Sequence, residues 1–142
     1  MELETVQLTV QRPGSAKLSI PAKLTALGEY LYRLSIAWPA GGERRHFDAP
    51  DLYECLREFR RVIEPEGFRV LCQGARPNVC PSGMARSMGG AWKSYTHKLG
   101  EPSSIDDLVE TFAPVGDIAS VGTVEEQDEF FRRHWEEFEK RA

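Results

Sequence analysis

The sequence predicts a single-domain α+β fold: a mostly antiparallel sheet of five or six strands packed with two main helices, about 49–63 and 124–140, and a short helix near 82–88. Three observations predict it. Apolar residues alternate through the first forty positions, two later segments repeat apolar residues at three- and four-residue steps, and turn residues separate the alternating runs closely.

Val6, Leu8 and Val10 alternate with Thr5, Gln7 and Thr9 over residues 3–10, the period-two pattern of a half-buried strand. Arg12-Pro13-Gly14-Ser15 follows as a turn, because Pro presets one backbone angle and Gly accepts the next. A second strand near 16–25 carries Leu18 and Ile20, and Pro21 places it at an edge or a bulge. In a third, about 29–38, Tyr30, Tyr32, Leu34, Ile36 and Trp38 share one face. Residues 39–45, PAGGERR, read as a loop, with Asp48 as the cap of the next helix and Pro50 in its first turn.

Leu52, Cys55, Leu56, Phe59, Val62 and Ile63 form one helical stripe and leave Arg57, Arg60 and Arg61 on other faces. Glu64-Pro65-Glu66-Gly67 ends that helix, and Phe68, Val70 and Cys72 alternate as a fourth strand. Further strands are expected over 91–99 and 108–113, although Ser104-Ile105-Asp106-Asp107 equally fits a helix start. Thr123 and Glu126 have the spacing of a capping box, in which each side chain satisfies a free backbone N–H of the first turn. The helix behind it is expected to bury Val124, Gln127, Phe131, Trp135 and Phe138.

A chain of 142 residues fits one domain, 1–142, and buries roughly two-thirds of the surface its unfolded form exposes. Cys55, Cys72 and Cys80 are an odd set with irregular gaps, neither a disulfide framework nor a zinc pattern, so a reducing compartment is expected. MELETVQLTV lacks the features of a secretion signal and no apolar run suits a bilayer, which predicts a cytoplasmic protein without a membrane partner. The formal net charge of −4 hides a polarity: residues 57–98 carry +5 and residues 101–142 carry −8. No nucleic-acid partner is expected, since phosphate affinity needs clustered positive charge with little opposing it.

The run from Cys72 to Tyr95 is the least ordinary part of the chain. A strand ends at Cys72, Gly74 frees the backbone, Pro81-Ser82-Gly83 opens a short helix and Gly89-Gly90 closes it. Arg76, Ser82, Arg86 and Lys93 surround this junction and are the candidate binding residues, suited to a phosphate, a carboxylate or an acidic side chain. The spacing matches neither phosphate-binding glycine motif. A purely structural crossover explains the same residues, with its arginines solvated or paired to the acidic last helix.

No catalytic residue is assigned. A thiol nucleophile would need Cys72 or Cys80 beside His97 or His46, and nothing in the sequence fixes that geometry. His46, His97 and His134 share no ligand spacing, so no metal and no cofactor is expected. The acidic residues of the last helix read as a solvated face or as a surface for a basic partner.

The string Cys72-x-Gly74-x-Arg76-x-x-Val79-x-Pro81-Ser82-x-Met84-x-Arg86-x-Met88, with Gly90, Lys93 and Tyr95 after it, resembles a motif in a family of small bacterial hypothetical proteins. Leu99-Gly100-Glu101-Pro102, Phe112 and Thr123 to Gln127 extend the likeness over about half the chain, from the fourth strand onward. The family carries no assigned activity. The resemblance implies a bacterial cytosolic protein of the immunity or accessory kind found beside toxins. Cys80 departs from the motif, which has an aromatic residue there, and this argues against an essential thiol. The expected function is therefore non-enzymatic: a protein-binding protein that occludes a partner. The alternative is a small-molecule or nucleotide anion-binding domain, or an enzyme, using the 74–93 loop. A homo-oligomer contact through the same loop is a third reading.

Overall fold

In a computed structural model, which describes residues 1–141, the alternating N-terminal segments form an antiparallel meander: β1 (Glu2–Gln11), β2 (Leu18–Gly28), β3 (Leu31–Ala37) and β4 (Arg44–Ala49). Helix α1 (Leu52–Ile63) follows, and β5 (Arg69–Val70) returns beside β1 to give the strand order β4-β3-β2-β1-β5. One sheet face presents Leu8, Val10, Ile20, Ala22, Leu24, Leu34 and Ile36, all at 3% exposure or less. Leu52, Cys55, Leu56, Phe59 and Ile63 of α1 cover it in one core cluster. Each Val, Leu, Ile or Phe among them contributes about 1.5–3 kcal/mol on leaving water.

A second antiparallel sheet contains β6 (Val79–Cys80), β7 (Lys93–Thr96) and β8 (Leu108–Glu110) in that order. The short helix α2 (Gly83–Gly89) connects β6 to β7, and α3 (Val124–Arg141) closes the fold. The α+β class and the helices near 82–88 and 124–140 agree with the sequence reading; the strands divide between two sheets. The capping box of α3 is formed: Glu126 N–H donates to Thr123 Oγ1 at 3.1 Å, and Thr123 N–H donates to Glu126 Oε1 at 3.0 Å.

Several expectations are corrected by longer-range packing. Residues 44–49 are a strand, where the sequence suggests a loop to 45 and a helix from about 49, because edge strand β4 pairs Phe47 with Leu34 and Ala49 with Tyr32. Asp48 pairs with Arg33 instead of capping α1. The cap is Asp51, whose Oδ1 accepts from Glu54 N–H at 2.8 Å. Pro21 lies in an interior strand, opposite Gln7, and the β2–β3 register begins one residue later at Ala22–Ile36. A missing N–H on the β3 side therefore breaks no ladder bond there. Tyr30 leaves the β3 face, at φ 57° in the turn and 54% exposed.

The largest correction concerns the arginines of α1. Arg60 is completely buried and Arg57 is buried as well. Arg60 donates from Nε to Glu64 Oε2 at 2.9 Å, from Nη1 to Gln127 Oε1 at 2.9 Å, and from Nη2 to the Gly122 carbonyl at 3.0 Å. Glu64 in turn accepts Val124 N–H at the start of α3 at 2.8 Å. A buried guanidinium is tolerable because this chain of partners satisfies it.

On α3 the buried positions are Val124, Gln127 and His134, whereas Trp135 is 49% and Phe138 38% exposed. The inner stripe thus turns toward His134 in the middle of the helix. No helix among the described residues is long and apolar enough to cross a membrane.

Candidate functional site

The 72–80 segment is held from both sides. Its Gly74, Arg76 and Val79 carbonyls all accept from Gln127 Nε2, at 3.0, 2.8 and 3.0 Å. Tyr53 of α1 adds its hydroxyl to the Val79 carbonyl at 2.9 Å. At Gly74 a Cβ would lie 2.8 Å from Thr111 Cγ2 and 3.0 Å from Leu56 Cδ2, so close packing demands glycine. These contacts fix where β6 and α2 begin.

Helix α2 is anchored just as firmly. Ser82 caps it, its Oγ accepting from Ala85 N–H at 3.0 Å. Arg86 donates to Asp51 Oδ2 at 2.8 Å and to Glu54 Oε1 at 3.3 Å, and lies over the Tyr53 ring. The Gly90 carbonyl accepts Leu52 N–H at 2.7 Å, tying the exit of α2 to the start of α1. Gly90 adopts φ 62°, and a Cβ there would meet the Tyr32 ring at 2.6 Å.

The four candidate binding residues therefore occupy different settings. Arg76 donates to Gln73 Oε1 at 2.9 Å. Ser82 spends a lone pair on its own helix. Arg86 pairs with α1, not with the acidic last helix. Lys93 is exposed on β7, opposite Glu110 in the β7–β8 register.

What this scaffold presents outward is apolar. Met84 is 70% exposed and Met88 81% exposed on the outer side of α2. Together with Trp92, Tyr95 and Leu108 they line an open groove of about 440 Å³, with Lys93 as its charged residue. Large apolar side chains standing together on a rigid support mark a contact surface, and thioether side chains adapt readily to irregular partners. The methionine spacing is visible in the sequence; that both point away from the core follows only from the anchoring through Arg86 and Gly90.

A second cleft, also about 440 Å³, adjoins the first through Ser82 and Tyr95. Cys80, Pro81, His97, Ser103, Ile105 and Trp135 contribute to its walls. Pairing of Val79 with Thr96 in the β6–β7 register brings Cys80 beside His97. Cys80 Sγ lies 3.5 Å from His97 Nε2, and Ser103 Oγ lies 3.0 Å from His97 Nδ1. Ser103 donates its hydroxyl hydrogen to the Thr96 carbonyl at 2.8 Å. Only its lone pairs then face the ring, so Nδ1 carries the proton and the neutral imidazole aims the Nε2 lone pair at the thiol.

Burial pushes the Cys80 thiol up to about 11, against weaker opposing pulls from Arg86 and Arg57. Burial also lowers the basicity of His97, assisted by neighbouring His134, while the Cys80 carbonyl and Asp107 act the other way. Both groups are thus neutral near pH 7. Cys72 and His46 take no part: Cys72 is buried at 1% exposure, and His46 lies beside Arg33 and Arg44 on the open side of the first sheet. No group of three or more metal-ligating side chains occurs among the described residues.

A single-domain α+β protein with two adjoining apolar clefts is the class that fold and site define. Comparison of the chain with protein-family models and with curated protein sequences finds no match.

Proposed function

We propose that this chain is a non-enzymatic protein-binding protein that acts by occluding a partner's surface through the α2–β7 face. The observation that carries this reading is the exposure of Met84 and Met88 on a helix immobilised from behind by Arg86, Ser82 and Gly90. A helix held this way loses little further freedom on binding, and pre-organisation lowers the cost of association. The groove suits a partner that offers an apolar side chain with a carboxylate beside it, the first for Met84, Met88 and Trp92 and the second for Lys93. The resemblance of the loop to small bacterial proteins favours an immunity or accessory role in the cytoplasm.

The alternative, anion binding or catalysis by Arg76, Ser82, Arg86 and Lys93, has less support because Arg86 and Ser82 are already engaged within the chain. Affinity capture from a lysate of the source organism compares the two readings, using the wild-type chain and Met84→Glu/Met88→Glu. The protein-binding reading expects one partner retained by the wild type and lost by the double variant. Equal capture by both chains overturns the assigned face.

A further inference from the structure

We infer that Cys80, His97 and Ser103 form a self-acylation site, at which the Cys80 thiol accepts a short apolar acyl group from an acyl thioester. Three observations carry it. The thiol and Nε2 are 3.5 Å apart, the length of a sulfur hydrogen bond and close enough for a base to tighten onto the thiol when substrate binds. The Thr96–Ser103–Nδ1 relay holds the ring in the tautomer whose Nε2 lone pair faces sulfur. The pair opens into a cleft whose apolar walls include Pro81, Tyr95, Ile105 and Trp135, a lining that suits an acyl chain better than a charged one.

The step conserves bond types. Cys80 Sγ bonds to the carbonyl carbon of the incoming thioester while its proton moves to His97 Nε2. The bond from that carbon to the departing sulfur breaks, and the departing thiolate takes the proton from His97. One thioester replaces another, one thiol is consumed and one is released. Water and an oxidant are not required. His97 acts as the base at the moment of attack, which a thiol protonated at rest requires. Ser103 is a positioning residue.

The test incubates the full chain with hexanoyl-N-acetylcysteamine thioester and reads intact mass, followed by peptide mapping. A hydroxylamine-labile acyl adduct is expected on Cys80, with Cys55 and Cys72 unlabelled because they are buried at 0% and 1% exposure. His97→Gln is expected to slow labelling by about a hundredfold, the low end of what general-base catalysis supplies. Ser103→Ala slows it as well, and Ser103→Thr restores it by returning the hydroxyl. Ile105→Arg, a change at a side chain 73% exposed, blocks the cleft without touching the core and abolishes labelling. A succinyl thioester should label far more slowly than the hexanoyl one. Absence of the adduct, labelling of Cys55 or Cys72 at the same rate, or equal rates in wild type and Ile105→Arg would each overturn the proposal.

Discussion

Arg60 on α1 and Gln127 on α3 meet in the fully buried interior, where Arg60 Nη1 donates to Gln127 Oε1 at 2.9 Å. Arg57 Nη1 donates to the same oxygen at 2.8 Å. The amide nitrogen of Gln127 simultaneously holds three carbonyls of the 74–79 segment. One side chain thus joins α1, α3 and the loop that leads to both clefts.

Arg60→Leu removes the partner of a Glu64 carboxylate whose side chain is 4% exposed. A buried charge left without its partner costs about 3–5 kcal/mol. Chemical denaturation is expected to show that loss as a lower midpoint. A loss below 1 kcal/mol would mean that the Arg60 network contributes little to holding the chain together.

Asp51 is buried, caps α1 and accepts from Arg86. Arg86→Ala leaves that carboxylate with its cap bond but without its counterion. The expected cost is about 1–3 kcal/mol, together with faster amide exchange in α2. Lys93→Gln, which removes the charge at an exposed strand position without setting a second carboxylate opposite Glu110, is expected to change stability by less than about 0.5 kcal/mol. If Arg86→Ala were neutral and Lys93→Gln costly, the division between supporting and presented residues would be wrong.

Gly90→Ala combines a left-handed backbone, φ 62°, with a contact of 2.6 Å between the new Cβ and the Tyr32 ring. A residue of this kind in that region costs of order 1–3 kcal/mol before the clash is counted. The thermal midpoint should fall accordingly, and tryptophan emission should report a change near Trp92. An unchanged midpoint would contradict the tight approach of α2 to β3.

These outcomes bear on what the sequence made legible. The capping box at Thr123 and Glu126 and the alternation of Val6, Leu8 and Val10 are local patterns, and the structure forms both. Strand β4 was hidden because Arg44, Arg45 and His46 are exposed on an edge. The burial of Arg60 was equally hidden, since its partners Gly122 and Gln127 lie more than sixty positions away. Nor could spacing reveal that Cys80 would face His97: that follows from a two-residue strand, β6, pairing with β7. The cysteine and the histidine were visible as residue types; their separation was not.

His134 supplies the pH dependence. It is buried, its Nδ1 accepts Gly100 N–H at 2.9 Å, and burial holds its protonation below the ordinary 6.5. His97, against its ring, is shifted the same way, chiefly by burial. Above pH 6.5 both states of the chain carry these rings neutral, and the stability they permit is complete. As pH falls below that value the unfolded chain binds protons first, so stability declines toward the lower folded values. The slope can reach about 1.4 kcal/mol per pH unit for each histidine. Denaturation midpoints measured between pH 7.5 and about 5.5 should fall, and the fall should be shallower in His134→Asn, whose amide oxygen still accepts from Gly100. Identical slopes in the two chains would remove His134 from the account.

Binding of a partner protein by the proposed α2–β7 face is read by calorimetric titration of the captured partner into the wild-type chain and into Met84→Glu/Met88→Glu. Truncated or charged anchors at a contact centre cost 2 kcal/mol or more, roughly thirtyfold in affinity. At least that loss is expected for the double variant, with the denaturation midpoint unchanged. Equal affinities for the two chains, at equal stability, would contradict it.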